Sequence, residues 1–176
     1  MKIIEPVTTE EVLETFRRTG PPHDDITARD AESYAEKMTL LAVEQHGEPW
    51  YRVRLSRKDV LAVVLPWHRG ENGELELVPP TGATVQETLT RLSAWGDEYP
   101  TANPLCWEKL HRHSDTDLSP LILSAGVVDH PHYADLSDRD SLTHLDGLHR
   151  MLAWGLEGRL PRFRRLDAYV VGLNRY

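Results

Sequence analysis

Five residues near the carboxyl end, Asp146-Gly-Leu-His149-Arg150, place a carboxylate, a glycine, an imidazole and a guanidinium directly before the apolar run Met151-Leu-Ala-Trp-Gly-Leu156. The run predicts a helix from about Leu148 to Leu156, stopped by Glu157-Gly158. Gly147, His149 and Arg150 then stand at its N-terminus, where unpaired N–H groups and the helix dipole favour an anion. For a phosphate the residue types fit. Arg150 offers a planar fork for bidentate contact, and Gly147 lets the backbone approach closely. His149 titrates near neutrality and can donate a hydrogen bond or a proton. Asp146 can hold Mg²⁺ or take a proton, and it can equally cap the helix.

Other residues are candidates for the second reactant. His144 lies two positions before Asp146 in a segment that reads as extended, so both side chains share a face and His144 can bind substrate. The loop Asp129-His-Pro-His-Tyr133, with Asp135, follows a predicted buried strand, and Asp129 or His132 can serve as a base. Phosphoryl transfer needs these parts: charge neutralisation, a divalent metal and a base near the acceptor.

The nine histidines also raise metal chemistry. His111-Arg-His113 and His130-Pro-His132 read as pairs on one side of an extended chain, with Asp115, Asp117 or Asp129 as a carboxylate partner. No HExxH motif occurs, and no glutamate follows at the spacing of a cupin. The single cysteine, Cys106, excludes an internal disulfide and a Cys-rich zinc site; without a CxxC partner it reads as a buried, inert thiol.

The order strand, loop, Asp146-Gly-Leu-His149-Arg150, helix through Ala153-Trp-Gly-Leu-Glu-Gly158, then Tyr169-Val-Val171 resembles the ParB/sulfiredoxin-like superfamily. The likeness spans Ser119 to Gly172, about a third of the chain. It implies a Gly-x-(His/Arg)-Arg loop that binds nucleotide phosphates, as in CTP-hydrolysing partition proteins, ATP-using sulfiredoxin and kinases acting on free serine. Leu148 stands where sulfiredoxin carries its active cysteine, so sulfinic-acid repair is not expected. No basic helical region follows the motif, and the chain is acidic overall, so a partition role is not expected either.

Around these residues the elements read as follows. Thr8 with Glu11 forms a capping box for a first helix with Leu13 and Phe16 inward, ended by Gly20-Pro-Pro22. A second helix spans about Arg29 to Gln45, capped by Thr27, with Tyr34, Met38, Leu41 and Ala42 at helical spacing. Trp50–Ser56, Val60–Pro66 and Glu74–Val78 read as an antiparallel meander, the first two joined by a Ser-Arg-Lys-Asp turn. Thr84 with Glu87 opens a third helix with Val85, Leu89, Leu92 and Trp95 on one face. A short helix is indicated around Cys106–His111. Pro120–Ser124 and Leu166–Gly172 read as strands, and Leu142–Leu145 as a brief one.

With 176 residues, 40% of them apolar, the chain suits one well-cored domain. Its net charge of −8 argues against non-specific nucleic-acid binding. The charge is uneven: His149 to Tyr176 carries six Arg against Glu157 and Asp167. No apolar run approaches membrane length and Met1-Lys-Ile-Ile-Glu-Pro6 carries no signal-type segment, so the cytoplasm is the expected compartment.

The expected fold is a single α+β domain. Residues 119–176 form the ParB/sulfiredoxin-like core, and 1–118 a lobe of helices and β-meander. The expected function is nucleotide-dependent chemistry on a small molecule, most simply phosphoryl transfer with ATP or CTP and Mg²⁺. The alternatives are a non-enzymatic nucleotide- or protein-binding module, for which Trp50, Trp67 and Trp95 can supply a surface, and a His-based metalloenzyme.

Overall fold

The computed structural model describes residues 1–19, 26–160 and 165–173. In chain order it contains β1 (Lys2–Val7), α1 (Thr9–Thr19), α2 (Ile26–His46), β2 (Trp50–Leu55), α3 (Arg57–Leu61), β3 (Val64–Leu65) and β4 (Ala83–Thr84). There follow α4 (Val85–Trp95), α5 (Glu98–Ala102), α6 (Pro104–Arg112), β5 (Leu121–Ala125), a 3₁₀ turn (Pro131–Tyr133), β6 (Leu142–Asp146), α7 (Leu148–Leu156) and β7 (Leu166–Val171). The fold is α+β.

Local chemistry explains the helix starts. Thr8 Oγ1 accepts the Glu11 N–H while the Thr8 N–H donates to Glu11 Oε2 at 2.8 Å. The same reciprocal box recurs at Thr84 and Glu87, opening α4. Helix α2 begins at Ile26, so Thr27 lies within its first turn rather than at its cap. The expected stop at Gly20-Pro-Pro22, and Arg162, Arg164 and Arg175 of the basic end, lie outside the described residues.

One mixed sheet runs in the order β1-β2-β7-β5-β6-β3-β4. Strand β5 is parallel to β7 and antiparallel to β6, and β3 is parallel to β6. Every residue of β5 is buried, because both faces of the sheet are covered. Leu121, Leu123 and Ala125 pack with residues of α4, α6 and α7, among them Leu89, Leu110 and Met151. Ile122 packs on the opposite side with Val12 and Phe16 of α1 and Met38 and Ala42 of α2.

The meander is not formed. Ser56 and Asp59 make a capping box that opens α3, so the Ser-Arg-Lys-Asp segment is a helix start and not a hairpin turn. Val60 faces the core from this helix, and β3 is reduced to Val64–Leu65. Glu74–Val78 contributes a single bridge, Val78 to His68. Because β2 lies beside β7, and β3 beside β6, the three strands from after residue 118 form the centre of the sheet, flanked on both sides by strands from before it. Among the described residues no helix is long and apolar enough to cross a membrane.

Candidate functional site

A cavity of about 570 Å³ opens where β3 and β6, a parallel pair, end. Its wall comes from the segment after β3 (Trp67, His68, Arg69), from the β6–α7 junction (His144 to Arg150), from Lys109 and His113 on or just after α6, and from Tyr34 and His132. Crevices beyond the carboxyl ends of parallel strands are where α/β sheets commonly place ligands.

At one side of this cavity three ligand atoms converge. His68 Nε2 and His149 Nε2 each lie 3.6 Å from Cys106 Sγ, and all three atoms fall within 4.8 Å of one another. The imidazoles meet edge to face, with centroids 5.3 Å apart. Zinc bound tetrahedrally, with Zn–S of about 2.3 Å and Zn–N of about 2.0–2.1 Å, requires an S···N separation of about 3.6 Å.

Three separate elements hold these atoms. Cys106 stands in the first turn of α6, which Pro104 opens at a position where its missing N–H is no loss. The Cys106 N–H, unpaired within the helix, donates to Glu71 Oε1 at 2.6 Å. Asn103, fully buried, accepts from the Glu71 N–H at 2.7 Å and donates to the Leu75 carbonyl at 3.3 Å. The segment that carries His68 is thereby tied to the start of α6. It turns tightly: a Cβ on Gly70 would lie 2.0 Å from the Glu74 carbonyl oxygen. His149 belongs to the first turn of α7, entered through Gly147 at φ 107°, where a Cβ would lie 2.5 Å from Leu121 Cδ2.

The electrostatics favour neutral ligands. Burial, with Lys109 and His132 adding to it, pushes His68 down to about 4. Burial and the neighbouring His68 hold His149 well below the usual imidazole range. Both rings are therefore unprotonated at neutral pH, as metal ligation demands. Burial pushes the Cys106 thiol up, against the hydrogen bond that Tyr99 Oη donates to Sγ at 3.2 Å. A cation between the rings would reverse that preference and draw off the thiol proton.

The residues expected to cradle phosphate line the same cavity but are engaged. Arg150 is 8% exposed; its guanidinium pairs with the Asp146 carboxylate and donates to Ser119 Oγ and, at 3.0 Å, to the Pro120 carbonyl. Asp146 is thus a partner of Arg150, not a cap, for Gly147 is the N-cap residue. The first N–H of α7, on Leu148, is taken by His144 Nε2 at 2.9 Å. His144 and Asp146 do share the cavity wall, as their spacing implied.

Asp129 does not reach the cavity. It is exposed and stands outside the cavity lining, with its N–H donating to Gln45 Oε1 at 2.7 Å. His132 stands on the cavity wall, its Nδ1 2.9 Å from Tyr34 Oη. The two His-x-His pairs behave differently from extended chain. His111 is on the last turn of α6 with its side chain exposed, while only His113 lines the cavity. His130 caps a 3₁₀ turn and His132 lies within it, with ring centroids 5.0 Å apart.

His68 and the ligand role of Cys106 escaped the sequence because the three residues are 38 and 43 positions apart with no shared motif. One signal was present: a cysteine in the first turn of a helix opened by Asn-Pro.

A family model described as "Family of unknown function (DUF6309)" matches residues 1–176. The chain belongs to this family. No curated protein and no solved structure matches it.

Proposed function

We propose that the chain is a zinc-dependent enzyme that hydrolyses a small polar molecule, with His68, Cys106 and His149 as ligands and the fourth position facing the cavity. The observation that carries this is the convergence of three ligand atoms within 4.8 Å, two of them on residues of the cavity wall. Three protein ligands and one open position is the pattern of catalytic zinc; a closed set of four is the structural pattern. The thiolate and imidazoles suit zinc and not Mg²⁺, which takes hard oxygen ligands.

Zinc at this position would supply Lewis acidity and lower the pKa of a bound water towards 7. His113 lines the same cavity and is held below its usual pKa, chiefly by burial, so it is unprotonated at neutral pH. It would accept the proton of a water activated there as that water adds to a carbonyl-type carbon, and would return the proton to the leaving group as the carbon–heteroatom bond breaks. The N-termini of α6 and α7 flank the cluster, and their dipoles favour the thiolate and the developing negative charge.

Metal analysis of untagged protein tests this. About one zinc per chain is expected, with strong losses in His68→Ala, Cys106→Ser and His149→Ala. Folded wild-type protein that takes up no zinc when supplied with it would overturn the reading.

A second reading keeps the nucleotide expected from the ParB/sulfiredoxin-like motif, as a core for ATP or CTP with Mg²⁺. Lys109 and Arg69 on the cavity wall favour it, since both suit an anion. It requires that Mg²⁺–ATP or Mg²⁺–CTP raise the melting temperature of metal-stripped protein.

A further inference from the structure

We infer that the substrate is a flat aromatic or heteroaromatic molecule, its ring seated against Trp67, Tyr34 and His132 and its reactive polar end at His68, Cys106 and His149. The inference rests on the zinc reading and adds the chemical class of what the site takes.

Three elements far apart in sequence bring rings to one side of the cavity: Tyr34 from α2, Trp67 from the segment after β3, and His132 from the 3₁₀ turn. Their mutual geometry is fixed. The Tyr34 and His132 rings lie 5.4 Å apart and are joined by the 2.9 Å contact between Oη and Nδ1. Trp67 meets His132 edge to face at 6.5 Å, and its indole N–H donates to Glu76 Oε1 at 3.2 Å. With their polar edges bound to one another or to Glu76, these rings present π surface that ordered water serves poorly. A planar ligand loses little freedom in binding between oriented rings.

The placement relative to the cluster is equally specific. Trp67 precedes the ligand His68 in sequence, so the ring wall begins one residue from the metal position. A cavity of about 570 Å³ falls in the range that encloses a single small molecule. Lys109 and Arg69 on the same wall favour an acidic substituent on that molecule.

Hydroxamates separate the two ideas, because the hydroxamate group chelates zinc whatever its substituent. Acetohydroxamate reports the metal, and benzohydroxamate reports the metal together with the ring wall. For zinc-loaded wild-type protein, benzohydroxamate is expected to bind at least about tenfold more tightly than acetohydroxamate. Trp67→Leu and, separately, Tyr34→Leu should cut that ratio to about threefold or less, with zinc content and acetohydroxamate affinity unchanged. Equal affinities in the wild type would overturn the substrate class while leaving the zinc reading intact, as would a ratio that survives both substitutions. A chain that holds zinc but binds neither probe overturns it as well. A chain that holds no zinc removes both ideas, and metal analysis distinguishes that outcome.

Discussion

His144 gives its ring acceptor, Nε2, to the Leu148 N–H that opens α7, so the ring must stay unprotonated for the helix to start where it does. Burial holds it at about 4, against an ordinary 6.5. The unfolded chain takes up this proton as pH falls through 6.5, while the folded ring resists until about 4. Its stabilising contribution is therefore complete above that window and is lost as pH falls through it, by on the order of 3 kcal/mol. Urea unfolding of chelator-treated protein between about pH 7.5 and pH 4.5 should show this fall. In His144→Asn, whose amide oxygen can take the Leu148 N–H without titrating, the fall should be shallower; an identical slope would refute the role given to the ring. Residue chemistry was only partly legible beforehand. The spacing of His144 and Asp146 gave their common wall, and the Asp146–Arg150 pair is itself a local i,i+4 contact, but the binding of Arg150 to Ser119 and Pro120 depends on the start of β5 meeting α7, which no local pattern encodes.

Elements decide whether the ligand atoms meet. Asn103 touches no ligand ring, yet it holds the His68 segment to α6 through Glu71 and Leu75. Asn103→Ala leaves buried polar groups without a partner and should cost about 1–3 kcal/mol. Thr84→Ala removes the cap of α4, remote from the cluster, at a similar cost of about 0.5–2 kcal/mol. Competition with a chromophoric chelator should find zinc affinity reduced at least about tenfold in the first variant and unchanged in the second. Equal zinc affinities would show that Asn103 serves stability alone. Helix starts were the most readable part of the chain, because a capping box is a local event: Thr8 with Glu11 and Thr84 with Glu87 both form. The run from Val60 to Pro66 was misread because continuous apolarity suits a buried strand and a core-facing helix turn alike, and here it supplies one of each. Strand β1 went unseen: it is an exposed edge strand containing Pro6, without the alternation that marks a half-buried strand.

At the scale of the molecule, helices on both faces of one sheet leave the ends of β3 and β6 as the place where distant segments converge. The α+β class and the cores of β5, β7 and α7 followed from hydrophobic periodicity. Strand order did not, because pairing β2 with β7 and β3 with β6 is set by packing between segments far apart in the chain. The same long-range packing assembles His68, Cys106 and His149, and the reading of the whole protein as an enzyme rests on that convergence. X-ray absorption at the zinc edge of the metal-loaded chain examines it directly. One sulfur at about 2.3 Å and two imidazole nitrogens at about 2.0–2.1 Å are expected, with a light atom completing the shell; the sulfur should vanish in Cys106→Ser. A shell of oxygen and nitrogen alone in the wild type, unchanged by that substitution, would contradict the zinc centre.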